Sequence, residues 1–426
     1  MQELKLIILV SIYSSSLFSQ WNVKHLDVQD NMNQTIQKIK FYNDTIGYAM
    51  GTRGLILRSD DKGESWINVP TDIEADIMDF DFSSTGEIIL TTQLEKGTYR
   101  STNGIDFEKV FISEWDLPNV EFSPANKFYL SGAEIIYQSV NQGETWDTIY
   151  NLKHHGFRWA HVRDFSFVDS LIGYAVGDGI DELDNTAFTT FVIKTKDGGD
   201  IWDLIKEYPY DSLGIFNSVY FKNEQTGYIL AGQSLITNNG GLNWEPLQDS
   251  YGATDLALIN NDKLITVNRP DAYTGYGSTV FSINESDDGG ITWLNPEFKN
   301  GAHLETIHFL NDSIGFVAGD YSIIMKTENC GGEIGEGYPW HLFTTSTNEL
   351  SQLDIDIYPN PFEDELKIET AIMQNWKYEI YSVSGNLFNK GDLTNNEIII
   401  SDIPSGIYIL VLMNENYRKV ARLVKR

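Results

Sequence analysis

The 426-residue chain has one cysteine, Cys330, so it can hold no internal disulfide and no cysteine-rich zinc or iron–sulfur site. Basic residues are scarce: 30 Lys and Arg stand against 61 Asp and Glu, a formal net charge of −31. A field of that sign repels phosphate backbones and anionic lipid, which excludes nucleic acid and acidic membrane surfaces as partners. Beyond the N-terminal segment no apolar stretch approaches the roughly twenty residues that a spanning helix needs, so no membrane span is expected in the mature chain. Apolar residues make up 41% of the chain, with 22 Phe, 22 Tyr and 10 Trp, which is too much for a disordered acidic polymer. A large core, or a core and a small second domain, is expected.

What is present begins with an address at each end. Residues 1–19 carry Lys5, an apolar run from Leu6 to Val10 continued by Ile12 and Tyr13, then small polar residues to Ser19. This order predicts a secretory signal peptide cleaved near Ser19. The last seventy or so residues read as short strands of alternating polarity. Their ordered motifs are Tyr358-Pro359-Asn360-Pro361, Ile380-Tyr381-Ser382-Val383-Ser384-Gly385, Ile403-Pro404-Ser405-Gly406-Ile407-Tyr408 and the basic end Lys425-Arg426. In these motifs the segment resembles the C-terminal sorting domain of the type IX secretion system of Bacteroidetes, over residues 353–426. Asn386 departs from the arginine that the family carries after its second strand. The resemblance implies a small β-sandwich, the type IX machinery as partner, export across the outer membrane, removal of the domain, and then release or surface attachment.

The middle of the chain is repetitive. Residues 59–66 (SDDKGESW) recur as 139–146 (SVNQGETW), 195–202 (TKDGGDIW), 237–244 (TNNGGLNW) and 286–293 (SDDGGITW), with degenerate copies starting at Ser101 and Thr327. Each follows a phrase such as FYNDTIGYA or SFVDSLIGYA. A hydroxyl at position one and a carboxylate or amide at position three can accept from backbone N–H groups of a tight turn. Glycine at position five permits positive φ, and tryptophan closes the apolar space between sheets. The pattern resembles the Asp-box repeat of sialidase-type β-propellers, and most closely propellers of photosystem-assembly-factor type. The expected fold is all-β: a seven-bladed β-propeller over residues 20–345, a linker at 346–352 and the sandwich at 353–426. Residues 21–26 and 340–343 compete to supply the strand that closes the ring.

With the four strands of a blade lettered A to D from the axis outward, A–B turns and repeat turns share one face. B–C loops and D–A connections share the other, and variable loops there favour binding. Unit four departs most from the repeat, in the connection 154–164 and the acidic loop 177–185. Candidate binding residues on that face are Arg53, Phe157, Arg158, Trp159, His161, Arg163, Asp181, Arg269, Tyr273 and Tyr276. Aromatic platforms beside a few charged groups suit a glycan or a peptide. No metal and no cofactor is expected. Asp178, Asp181 and Asp184 follow no known calcium loop, and adjacent His154 and His155 point to opposite sides of a strand.

Three functions stay open: a non-catalytic binder of a glycan or protein, a glycoside hydrolase, and a scaffold for an envelope complex. The sialidase arginine–proline motif is absent, seven units fit sialidases poorly, and the glucan hydrolases of this type use two propellers. The binder is therefore preferred.

Overall fold

The structure is a computed structural model. It describes residues 20–334 and 355–426, apart from 27–33, 94–96, 114–116, 182–187, 210–213, 261, 269–279, 295–298, 301–302, 332, 371–375, 383–386, 394–396, 401–402 and 414–417.

Seven sheets follow one another along the chain, antiparallel apart from a short parallel pairing of Gln20 and Trp21 with Glu333 and Ile334 in the last. Sheet 1 comprises Ile36–Phe41, Gly47–Gly51, Ile56–Ser59 and Ile67–Asn68, which set the pattern of strands A to D. The A strands of sheets 2 to 7 are Ile77–Phe82, Asn119–Ser123, Phe157–Phe167, Ser218–Phe221, Ala253–Leu258 and Leu304–Phe309. Each A strand touches the next, and Leu304–Phe309 touches Ile36–Phe41, so the series closes on itself. Seven apolar clusters fill the seven gaps between neighbouring sheets. B strands such as Gly47–Gly51 are buried throughout, because both faces of each sheet pack against a neighbour.

The ring is joined by the start of the chain. Gln20–His25 pairs antiparallel with Ile324–Thr327 as the fourth strand of sheet 7, with Asn22 opposite Lys326. Trp21 is fully buried there, edge-on to Phe309 with ring centroids 6.1 Å apart. Of the two segments expected to compete for this place, residues 340–343 lie outside the described residues. Lys24 Nζ lies 2.7 Å from Glu64 Oε2 of sheet 1, and the buried ammonium of Lys326 also pairs with Glu64, which ties the last sheet to the first.

The repeat turns adopt the geometry expected of them. Ser59 Oγ donates to Asp61 Oδ1 (2.9 Å) and accepts from Gly63 N (2.9 Å), while Asp61 Oδ1 also accepts from Ser65 N (2.9 Å). The same bonds recur at Thr195, Asp197, Gly199 and Ile201, and at Ser286, Asp288, Gly290 and Thr292. Gly63 has φ +76°, and a Cβ there would sit 2.2 Å from the Phe316 ring, so both conformation and space demand glycine. Lys62 N donates to Thr45 O (3.1 Å) and Gly240 N to Gln225 O (2.9 Å), which puts repeat turns and A–B turns on one face.

Towards the C-terminus two further sheets share one core. One holds Ile355–Tyr358, Glu365–Thr370 and Glu397–Ile399; the other holds Lys377–Ser382, Leu387–Asp392, Gly406–Met413 and Arg418–Lys425. Phe362, Leu366, Trp376, Ile380, Leu410 and Leu423 are buried between them.

Candidate functional site

Two places concentrate polar chemistry. The first is the axis. In sheets 1, 2, 4, 6 and 7 the A–B register shifts at the same point of strand A, and the residues just after the shift are Lys38, Asp79, Asp164, Asp255 and Thr306. Two residues further on lie Lys40, Asp81, Ser166, Ala257 and His308. Lys38 senses Asp255, Asp79, Asp164 and Glu121, which come from four other sheets, so these groups meet at the centre. Lys38, Lys40, Tyr220, Asp255 and His308 line a cavity of about 220 Å³ there.

The axial acids are occupied in bonding sheet to sheet. Asp79 Oδ2 accepts from Val120 N (3.1 Å) and Asn119 Nδ2 (2.9 Å), and Asp81 Oδ2 from Phe122 N (2.9 Å). Asp164 accepts from Val219 N (2.9 Å) and Asn119 Nδ2 (3.0 Å). Asp255 Oδ2 accepts from Ile307 N (3.0 Å) and Thr306 Oγ1 (2.8 Å), and its other oxygen accepts from the Tyr220 hydroxyl. Phe41 N donates to His308 Nε2 (3.4 Å) across the closing gap.

Burial sets the proton affinities. It pushes Asp164 up to about 7, with only partial relief from Lys38, and it raises Glu121 well above the carboxylate range, helped by Asp81. Burial and Lys40 hold His308 down at about 4, so the ring is neutral and its Nε2 is free to accept. Burial also works against charge on Lys38, yet the surrounding carboxylates outweigh it and keep the ammonium above its ordinary value. Tyr220 is raised by burial and then by Asp255, which leaves its hydroxyl a poor nucleophile at neutral pH. These residues were not singled out in the sequence. Their signal is faint: polar residues two positions apart in every A strand but that of sheet 6, where Ala257 takes the second place, visible only once the repeats are aligned on the A–B turn.

The second place is sheet 4. Residues 157–164 and 177–181, expected as connection and loop, are strand. Phe157–Phe167 pairs with Gly173–Asp181, and Phe188–Thr195 and Asp203–Pro209 complete the sheet. Val162 opposite Gly177 matches Ile36 opposite Gly51 in sheet 1, so Phe157 to His161 extend past the end of a standard A strand. A register shift between Phe157 and Trp159 breaks the period of two, which is why the sequence read as irregular.

Of the expected site residues, Phe157 is buried against Phe191 (centroids 5.1 Å apart) and presents no platform. Arg158 is exposed at the register shift. Trp159 and His161 are half-buried with ring centroids 4.2 Å apart, and the Arg163 Nε contacts the buried carboxylate of Asp178, which stands opposite His161 in the ladder. Asp178 is thereby engaged by a guanidinium, and no group of metal ligands occurs among the described residues. Asp181 ends its strand opposite Phe157. Arg53 lies exposed in the tight turn of sheet 1 at φ +56°, its N–H donating to Asp76 Oδ1 (2.8 Å). Arg269, Tyr273 and Tyr276 lie outside the described residues.

Comparison with known proteins adds the following. Residues 356–426 match the secretion system C-terminal sorting domain. The protein is thus sent through type IX secretion to the cell surface or beyond it, and no described helix is long and apolar enough to cross a membrane. Among solved structures, the chain is similar to YCF48 bound to D1 peptide, at 16% identity and TM-score 0.54 over 72% of this chain and 94% of that one. It is similar to the WD40 beta propeller domain of Doa1, at 10% identity and TM-score 0.51 over 73% and 97%. It is also similar to the GH74 xyloglucanase from Xanthomonas campestris, at 13% identity and TM-score 0.53 over 73% of this chain and 54% of that one. At these identities the likeness is one of fold, and the fold is a β-propeller. No curated protein matches the sequence.

Proposed function

We propose that the chain is an exported, non-catalytic, seven-bladed Asp-box β-propeller with a C-terminal sorting sandwich, and that it binds a protein or glycan on the extended part of sheet 4. We propose for it a signal peptide at 1–19, a propeller at 20–345, a linker at 346–352 and a sorting domain at 353–426. The observation that carries the reading is the alternation of Trp159, His161 and Arg163 along a strand that outruns its neighbours. An indole, an imidazole and a guanidinium in one row supply an apolar plane with orienting donors. Phe157 holds that strand from beneath, and Arg158 stands at its exposed turn of register.

A binder rather than a hydrolase is supported by the state of the acids. A glycosidase needs two placed carboxyl groups that are free to transfer a proton or attack carbon. Asp79, Asp164 and Asp255 are instead bonded to neighbouring backbone N–H groups, and Asp178 is paired with Arg163. One protein of similar fold, YCF48, is solved with a peptide bound, the D1 peptide.

The test is Arg158→Ala with Trp159→Ala in the secreted protein, read on protein and glycan arrays and by thermal melting. Binding is expected to fall at least tenfold with the melting temperature nearly unchanged. Equal loss of stability and binding would reduce the row to packing. Turnover of fluorogenic glycosides that Asp181→Asn abolishes would replace the binder by a hydrolase.

A further inference from the structure

One repeat turn differs from the rest in a way that opens a groove. In sheet 1 Arg58 stands opposite Ile67 in the C–D ladder, with Trp66 just before it; in sheets 3, 4 and 5 Trp146, Trp202 and Trp244 hold the same register position. In sheet 2 the turn is one residue shorter. Gly104 N donates to Ser101 Oγ (2.9 Å), three residues back instead of four, and Arg100 stands opposite Glu108. The residue at the tryptophan position is therefore Phe107.

The indoles of this series reach the sheet before their own: Trp66 lies 6.3 Å from Phe316 of sheet 7, and Trp202 lies 6.5 Å from Tyr129 of sheet 3, between ring centroids. Phe107 points into the corresponding gap between sheets 1 and 2, where it packs on the shared core and remains half-buried. Beside it lies an open groove of about 400 Å³. Pro70 and Ile73 of sheet 1 form one side, Tyr99, Ile105 and Phe107 of sheet 2 the other, and Asp72 and Asp106 stand exposed at its rim.

We propose that this groove is a second binding site, distinct from sheet 4, and that it receives an arginine side chain from a basic segment of a partner protein. The chemistry is specific to that group. A guanidinium is flat, weakly hydrated and carried on an apolar stem, so it lies on aromatic faces and forks to carboxylates. Tyr99 already takes a cation, since Lys109 Nζ lies 5.5 Å from its ring centroid. Asp72 and Asp106 make no ion pair among the described residues, and Asp106 Oδ2 accepts from Asn103 Nδ2 at 2.8 Å. A cationic segment is also what the charge of −31 attracts, and a second copy of this chain is what it repels.

The test uses the full chain and fluorescein-labelled (Leu-Arg)4, with (Leu-Glu)4 and a xyloglucan oligosaccharide as comparators, read by fluorescence anisotropy at physiological salt. Two variants separate the groove from the general acidic field. Phe107→Trp restores the residue that the repeat uses elsewhere and narrows the groove with no change of charge. Asp72→Asn with Asp106→Asn removes the rim carboxylates and leaves 59 of the 61 acids in place. Each variant is expected to weaken (Leu-Arg)4 at least tenfold, with (Leu-Glu)4 unbound throughout. Arginine peptide binding that survives both variants would be field attraction alone and would overturn the site. Oligosaccharide binding lost in the same variants would overturn the arginine assignment in favour of a glycan. Arg158→Ala with Trp159→Ala is expected to leave (Leu-Arg)4 binding unchanged, so failure at sheet 4 does not touch this groove.

Discussion

The carboxylates of the repeat turns and those of the axis are the same side chains bonded to the same kind of donor, yet they behave in opposite ways. Asp61 sits exposed and Asp288 half-buried in their turns, and both accept from N–H groups four residues along the chain. For Asp288 the Thr292 hydroxyl and N–H hold the carboxyl below its ordinary value; for Asp61 burial is the largest single influence and raises it, but the bonds from Ser65 and Ser59 together outweigh it. Asp79, Asp164 and Asp255 accept from N–H groups about forty to fifty-five residues away, on the next sheet, where water is scarce. There burial dominates, and Asp79 and Asp164 are raised. The same bond is a local cap in one place and a clamp between sheets in the other, and desolvation decides the electrostatic sign.

The largest expected effect breaks that contrast at the axis. Asp255→Ala leaves the Ile307 N–H, two hydroxyls and the Lys38 ammonium without their acceptor, and should cost about 3–5 kcal/mol of unfolding free energy in urea. Asp61→Ala, which removes the same number of oxygens from an exposed turn, should cost about 1 kcal/mol. Similar losses at both sites would mean that burial does not set the difference.

A second, smaller effect concerns pH. The folded state keeps the Asp164 proton up to about pH 7, whereas the unfolded chain releases it near 3.8. Between those values the native state binds more protons, so this group lowers stability as pH rises through the window. His308 acts the other way: held at about 4 against an ordinary 6.5, it costs stability as pH falls from 6.5 to 4. Asp164→Asn should therefore gain roughly 1–2 kcal/mol at pH 8 and almost nothing at pH 4, in urea unfolding at the two values. A gain independent of pH would show that Asp164 is ionised throughout.

The contrast also explains what could be read from the sequence. The turns were legible because their side-chain bonds close within eight residues, so the spacing of Ser59, Asp61, Gly63 and Trp66 contains their internal geometry. The face shared by repeat turns and A–B turns followed from the alternation of strands. The axis was not legible, because which residue of IQKIKF looks inward depends on a bulge after Ile36 that leaves no mark in composition. Sheet 4 was misread for the same reason: the shift at Arg158 hides the alternation of Phe157, Ala160 and Val162, and charged residues between them imitate a loop. Phe107 leaves no mark in the sequence, because a missing tryptophan looks like repeat decay until the ladder shows what it faces.

The strand that closes the ring makes the first residues of the fold wait for the last sheet. Asn22 meets Lys326 about 300 residues later, and a loop of that length closes late because its entropy is recovered only when sheet 7 exists. Until then Trp21 has no pocket. Trp21→Ala is accordingly expected to speed unfolding while leaving refolding almost untouched, in stopped-flow denaturant jumps. The closing strand thus governs how long the folded protein lasts, more than how fast it forms, which is the property that matters to a protein working outside the cell.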